Sequence, residues 1–487
     1  MDSTHGVLDP VLTISFGDWL ALSASSSYCE EHALTPANDC DVKSVMGTHH
    51  RDRKETSRPH DDVRNDDKKD PADVRPKKSE EKKDLLDVLP SEKPKPDLDA
   101  VRIPHLRSIS PDRPLKAKFP KDCTFEEVEL PLEGDGPKTL CLLFPGAREG
   151  ILTLRGFPAP LPRAAKSLSR EPLYDIRRIP GLGRGAVANK ALQPGDLIIC
   201  ERPLLLFPAA FPKHGPESRG TRFKDMVESL PREKRDLVFD LHNCMKNGLK
   251  NVKGIIDTNS LGIGRLPGSY KGAYAVLCPR IARMNHSCSP NAERCWDLKS
   301  MAFYVRALRP IAKGEQICIT YCPLLQSRVA RQANLSQWDF NCACRTCSMP
   351  KAESSKSDVR RWILDTSLQN LTDKPDFRDH EHTLKKWAAD PSLPDDHVHK
   401  HSQLQLQLMD EEGVYIEELW FAHCEIICKA LCALQDRKGV VKLAKKAAIM
   451  STVYRGTRGG WQNVAAAPEK TPWWGLRKKT AELKALD

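Results

Sequence analysis

A chain of 487 residues with a net charge of +11, 40% hydrophobic and 29% charged residues allows two or three domains without requiring them. No apolar run reaches the roughly eighteen residues of a membrane-spanning helix, so none is expected. The basic excess is moderate and fits ordinary solubility as well as it fits an acidic partner or nucleic acid.

The mildly apolar stretch from Val11 to Ser27 is broken by Asp18 and follows no basic segment, so it reads as a non-signal. From about His49 to Pro114 the chain is rich in Lys, Asp, Glu, Arg and Pro, with both signs interleaved, as in Asp66-Asp67-Lys68-Lys69-Asp70. Such a segment buries too little apolar surface to offset its ordering entropy, and residues 1–119 are expected to be a mostly disordered charged region. Its local charge nearly cancels, which argues against a dedicated nucleic-acid arm. Phe125 to Phe144 reads as two short strands around Gly134-Asp135-Gly136, a small hairpin within an unassigned segment, 120–170, appended to the later domain. Leu197-Ile198-Ile199-Cys200 and Leu204-Leu205-Leu206-Phe207 read as buried strands split by Arg202-Pro203. Residues 216–250 are polar, helical in pattern, and contain a single cysteine, Cys244.

Past Pro350 the pattern is helical. Tyr415, Leu419, Ala422, Ile426 and Ala430 follow helical spacing, with Cys424, Cys428 and Cys432 on the opposite side. A helix apolar all round is expected to be sandwiched between others, and these cysteines beside His423 read as core. Asp436-Arg437-Lys438-Gly439 reads as a turn and Val440 to Val453 as a second helix. The last thirty or so residues carry Trp473, Trp474 and the cluster Arg477-Lys478-Lys479 without a clear period.

Two stretches carry the chemistry. Arg283-Met284-Asn285-His286-Ser287-Cys288-Ser289-Pro290-Asn291 supplies one thiol, and Phe340-Asn341-Cys342-Ala343-Cys344-Arg345-Thr346-Cys347 supplies three more at C-x-C-x-x-C spacing. Four thiolates suit a closed tetrahedral zinc site. A zinc stapling the two stretches would also fix Ile319-Thr320-Tyr321 between them. With 17 cysteines and no secretory signal, reduced thiols and metal binding are expected in place of a disulfide framework, together with residence in the nucleus, the cytoplasm or both. Cys278, Cys295 and Cys322 read as small buried hydrophobes.

Asn-His-Ser-Cys-x-Pro-Asn, then x-Thr-Tyr, then Cys-x-Cys-x-x-Cys resembles a SET-domain protein-lysine methyltransferase with a post-SET zinc site. Upstream, Gly181-Leu182-Gly183-Arg184-Gly185 and Asn189-Lys190-Ala191-Leu192-Gln193-Pro194-Gly195-Asp196 resemble the opening strands of the same domain. The nearest subgroup is the SET-and-MYND family with its fungal-type relatives, over roughly residues 172–350 and more loosely behind. The MYND zinc module of that family is absent, since only Cys244 stands where it would lie. The resemblance implies an α+β fold: small β-sheets with a threaded C-terminal segment over 171–323, a post-SET zinc-binding segment at 324–350, and a helical, tetratricopeptide-like region over 351–487.

Lysine methylation needs a neutral amine, which costs about 4.6 kcal/mol at pH 7 from a pKa near 10.4. An apolar channel and an adjacent sulfonium both disfavour the ammonium. The resemblance implies that Tyr321 is the catalytic residue beside the transferred methyl, orienting the amine and stabilising developing charge. It implies contacts to S-adenosyl-L-methionine from Leu182, Gly183, Arg184, Asn259, Asn285, His286 and Tyr321, with Phe340 stacking on the adenine. His286 is expected to act as a structural anchor, not a proton shuttle. The zinc ligands by resemblance are Cys288, Cys342, Cys344 and Cys347. Leu261 and Trp338 stand where the family often has aromatic and tyrosine channel residues, which alters the wall of the lysine channel. The implied partner is a protein substrate with a target lysine, histone or not; further protein partners could dock on the C-terminal helices, and a membrane partner is not expected. The competing reading is a catalytically idle SET scaffold. A nucleic-acid module ranks last, because no aromatic-interleaved basic platform is present.

Overall fold

The computed structural model describes residues 124–478 apart from 134–135, 163–171, 213–214, 246–247, 249, 269–271 and 374–379. The charged segment, the stretch Val11 to Ser27, the Gly134-Asp135 tip and Lys479 lie outside the described residues. The chain divides into two units, of which Glu30–Arg102 falls wholly among the undescribed residues. The described residues all belong to the other unit.

In chain order come β1 (Glu126–Leu130), β2 (Thr139–Leu143), α1 (Ala147–Leu152), β3 (Tyr174–Ile179), β4 (Gly183–Ala188), β5 (Leu197–Glu201), β6 (Leu205–Pro208), α2 (Arg219–Ser229), α3 (Arg232–Phe239), α4 (Val252–Asn259), β7 (Ser260–Arg265) and β8 (Ala273–Leu277). Next are β9 (Asn285–His286), β10 (Ala292–Asp297), β11 (Ala302–Ala307), β12 (Cys318–Ile319) and α5 (Arg328–Leu335). The helical region is α6 (Lys351–Asp373), α7 (His380–Ala389), α8 (Lys400–Glu412), α9 (Glu417–Ala433), α10 (Arg437–Arg455) and α11 (Trp461–Ala466). No described helix is long and apolar enough to cross a membrane.

The strands form a five-stranded sheet, β1-β2-β6-β8-β7, a three-stranded sheet, β10-β11-β5, and two strand pairs, β12-β9 and β3-β4. The expected hairpin is present, but it is not an appendage. All five residues of β2 are buried, and an apolar strand of this kind needs cover on both faces. Its two faces enter two cores, Cys141 and Leu143 one and Leu140 and Leu142 the other, while its edge pairs in parallel with β6, Leu140 opposite Leu205 and Cys141 opposite Leu206. The break at Arg202-Pro203 sends β5 and β6 into different sheets. The buried Arg202 guanidinium secures the break by donating to the carbonyls of Ser300 and Pro137.

The helical region has a separate core, in which Leu419, Trp420, Cys424, Cys428, Ala430 and Cys432 of α9 are all buried against α10 and its neighbours. The α9 cysteines are packing residues, as the sequence suggested. Asp436 to Gly439 is more than a turn: the Asp436 carboxylate accepts from the Gly439 N–H at 2.9 Å and starts α10 at Arg437. Near the chain end, Arg477 lies 4.4 Å over the Trp387 ring and donates to the Trp387 and Leu393 carbonyls.

Candidate active site and metal centre

The Glu201 carboxylate at the end of β5 accepts the N–H groups of Arg280 and Ile281 at 3.0 and 2.9 Å. It thereby fixes the single 3-10 turn Ile281–Arg283 that leads into β9. β9 and β12 run parallel, with Cys318 opposite Asn285 and Ile319 opposite His286. Asn291 stitches the two together: its amide oxygen accepts from Cys318 N at 2.8 Å, and its amide nitrogen donates to Gln316 O and Glu315 Oε1 at 2.9 Å. The sequence displayed Asn291 within the signature but suggested no role; pairing of segments 27 residues apart is what gives it one.

Tyr321 leaves β12 into this junction. Its N–H donates to His286 Nδ1 at 3.0 Å, and its hydroxyl donates to the Met284 carbonyl at 2.5 Å. Burial pushes the phenol pKa well up, so the group is neutral and a donor. Its ring centroid lies 5.3 Å from Trp338 and 5.5 Å from His286. His286 accepts at Nδ1, so its proton sits on Nε2, which faces Cys288 Sγ at 3.2 Å. Burial lowers its pKa to about 4. A neutral imidazole engaged at both nitrogens is built to anchor the junction.

The residues expected at the cofactor fall into two groups. Leu182 is exposed at the tip between β3 and β4, and Asn285 Nδ2 lies 3.5 Å from its carbonyl. Gly183 adopts φ 72°, a left-handed conformation that favours glycine. Gly185 is the tightest point: a Cβ there would come within 2.7 Å of Asn285 Nδ2 and 2.8 Å of Gln316 Nε2. Phe340 lies 6.5 Å from His286, ring to ring. Arg184 and Asn259, by contrast, are engaged elsewhere. Arg184 meets the Asp240 carboxylate at 2.8 Å, which Arg283 also contacts. The Asn259 amide donates to His242 O and Ile255 O at 2.6 and 2.7 Å. Trp338 donates from Nε1 to Thr258 O at 3.1 Å, beside Asn259. Leu261 on β7 and Tyr321 pack against the same apolar core.

Cys288, Cys342, Cys344 and Cys347 bring their sulfurs within 4.8 Å of one another, with Cys288 and Cys347 at 3.5 Å. Zinc–sulfur bonds near 2.3 Å in a tetrahedron place sulfurs about 3.8 Å apart, so the cluster fits that ion. Among the described residues no other group of His, Cys, Asp and Glu is so gathered. Gln332 on α5 braces the cluster, accepting from Cys342 N and donating to Cys342 O. The Cys288 N–H points to Cys344 Sγ at 3.5 Å. Four thiolates around a divalent ion carry two net negative charges, and two fully buried guanidinium groups, Arg331 and Arg361, lie close by. Neither arginine was singled out from sequence; each is a lone cation on a helix until the fold brings it to the cysteines.

The family model for the SET domain matches residues 183–322. The histone-lysine N-methyltransferase set5 of Schizosaccharomyces pombe is 29% identical over 39% of this chain and 56% of its own length. The N-lysine methyltransferases SMYD2-B and SMYD2-A of Xenopus laevis are 25% and 30% identical, each over 54% of this chain and 63% of its own length. The chain thus spans 56–63% of the length of these curated relatives. A crystal structure of the SET domain of LSMT bound to lysine and AdoHcy aligns at 13% identity and a TM-score of 0.22, over 62% of this chain and 88% of that one. Residues 183–322 match the SET domain, and the chain is similar to proteins named as histone-lysine and N-lysine methyltransferases.

Proposed function

We propose that this protein is an S-adenosyl-L-methionine-dependent protein-lysine N-methyltransferase with Tyr321 as its catalytic residue. The observation that carries the reading is the Tyr321 hydroxyl held on the Met284 carbonyl, one residue before Asn285, with the Tyr321 side chain packed against the four-cysteine cluster. The names of the SET-domain relatives support the reaction class. Bound S-adenosyl-L-methionine supplies a methyl group on a sulfonium. Gly183, the Leu182 carbonyl, Asn285 and the His286 backbone would hold it, with Phe340 against the adenine. Arg184 and Asn259 join that set through whatever donors and acceptors their present partners leave. The apolar side chains of Leu261 and Trp338 wall the channel and favour the uncharged amine by desolvation. The Tyr321 oxygen and the Met284 carbonyl offer that amine a fixed pair of polar contacts, which orient its lone pair. Cys288, Cys342, Cys344 and Cys347 would hold a structural zinc that ties the signature to the post-SET segment. The substrate class is a protein lysine, histone or non-histone, in nucleus or cytoplasm, and the helices from 351 onward form a tetratricopeptide-like surface for partners.

An idle scaffold is the second reading, favoured by the internal engagement of Arg184 and of the Asn259 amide. The test uses the full chain, labelled S-adenosyl-L-methionine, histones and lysate proteins, with mass spectrometry of the labelled products. Transfer to lysine is expected, with a loss of about a hundredfold in Tyr321→Phe. Cofactor binding without transfer to any protein, or equal low transfer by both forms, overturns the enzyme reading in favour of the scaffold.

A further inference from the structure

A fully buried ion pair ties the helical region to the signature. Arg361 of α6 has no exposed surface, and Glu412 ends α8 with 5% exposure. Arg361 Nε donates to Glu412 Oε2 at 2.9 Å, Nη2 donates to the Cys288 carbonyl at 3.0 Å, and Nη1 donates to the Leu324 carbonyl. Glu412 is held in turn by Ser357 Oγ and by Arg360 Nε, each at 2.6 Å. A second link runs beside it. Ser289 Oγ donates to the Glu412 carbonyl at 2.9 Å, and Gly413 turns there with φ 59°, where a Cβ would run into Ser289 Oγ.

Desolvating two charges is expensive, and apolar side chains of the same volume would stabilise helix packing at least as well. What apolar side chains cannot do is bridge two carbonyls. A guanidinium is a rigid planar fork with donors on separate edges. Here its prongs reach two segments of the site: the carbonyl of Cys288, and that of Leu324, three residues beyond Tyr321.

We propose that Arg361, set by Glu412, is a positioning residue that locks the signature loop to the segment leaving Tyr321, so that the C-terminal helices are a working part of the site. The inference rests on the methyltransferase reading for its kinetic consequence only; the lock itself is read out independently of turnover.

The test compares the full chain with Arg361→Met/Glu412→Leu, which removes both charges, and with Arg361→Lys, which keeps the buried cation but replaces the fork by a single point donor. The readouts are melting temperature, amide hydrogen exchange in peptides covering 284–291 and 321–326, zinc release to a chelator, and methyl transfer. The double variant leaves no charge stranded but takes the donor from two buried carbonyls, so it should fold and melt moderately below the wild type. Both variants should exchange faster in those two peptides and release zinc about tenfold faster, as for loss of an outer-shell partner. Their kcat should fall by about a hundredfold with little change in cofactor KM. If the double variant fails to fold, Arg361→Lys decides. Variants that fold, exchange and retain zinc like the wild type overturn the proposal. A wild type that transfers no methyl while the variants still loosen both peptides refutes the enzyme reading and leaves the lock standing.

Discussion

Gly185→Ala probes the contact between the β3–β4 tip and the signature most directly. The added methyl would stand 2.7 Å from Asn285 Nδ2, 2.8 Å from Gln316 Nε2 and 3.0 Å from Ile179 Cγ1. Unstrained contact begins near 3.5 Å, so both amides would have to retreat by about 0.7 Å. The Gln316 backbone is fixed by its bridge to Val187 of β4, but its Nε2 has no hydrogen-bond partner among the described residues and can retreat by side-chain rotation. Asn285 Nδ2 is held only by a long 3.5 Å link to the Leu182 carbonyl and stands nearest the added carbon. Part of the displacement should therefore fall on the residue proposed to hold the cofactor. Overpacking of this kind costs about 1–3 kcal/mol. If cofactor binding needs the Asn285 amide in place, the dissociation constant rises by about fivefold to 150-fold. Calorimetric titration with S-adenosyl-L-methionine measures it. Gly314→Ala is the control: its φ of 85° imposes backbone strain, but nothing lies within 4 Å of the added carbon. It should lower the melting temperature and leave cofactor affinity unchanged. A Gly185→Ala protein that binds cofactor like the wild type, or a Gly314→Ala protein that loses affinity equally, would refute the reasoning.

Tyr321→Phe should also cost about 1 kcal/mol in denaturant unfolding, because the Met284 carbonyl loses its donor; an unchanged midpoint would mean that water takes the hydroxyl's place. Chelation of zinc, or Cys342→Ser, should lower the melting temperature and speed hydrogen exchange in 340–347 and 284–291 together; exchange confined to the first segment would show that Cys288 is not a ligand. Asp436→Ala should destabilise the fold by about 1 kcal/mol through loss of the α10 cap, measured by urea unfolding. Glu315 predicts an acid limb in the stability profile. Partial burial raises its pKa, but the Ala312 N–H, the Asn291 amide and Arg309 outweigh it and hold the carboxyl below its ordinary 4.5. Its contribution is complete above 4.5 and fades as pH falls through the lowered value, so Glu315→Gln should flatten that limb. Parallel acid limbs in the two proteins would count against this assignment.

The sequence exposed what depends on local spacing. C-x-C-x-x-C confines three sulfurs to a short arc, and its resemblance-implied partner Cys288 and the stapled position of Tyr321 were legible before any fold was known, whereas the pairing of β9 with β12 was not. The run from Leu419 to Cys432 was likewise readable as an enclosed helix. The features that escaped depend on distant partners. β2 reads as half of a local hairpin because nothing in Thr139–Leu143 names β6 as a neighbour. Arg361 reads as a helix-surface cation until a carbonyl 73 residues away proves to be its acceptor. Asn259 resembles a cofactor amide by alignment, yet its hydrogens are spent on nearby carbonyls, a detail that side-chain rotation alone decides. Asp436 reads as part of a turn because capping and turn formation use the same short acidic side chain.

The parallel seam between β2 and β6 bears on how the protein can be shortened. A truncation beginning where the SET family match begins, at Gly183, would strip two strands from the five-stranded sheet and leave Leu205-Leu206-Phe207 along a bare margin. Unpaired backbone flanked by wholly apolar side chains is a template on which further copies zip together. Expression fragments starting after the hairpin should therefore precipitate even though Tyr321 and all four proposed zinc ligands are retained, and soluble ones will need to begin ahead of Phe125.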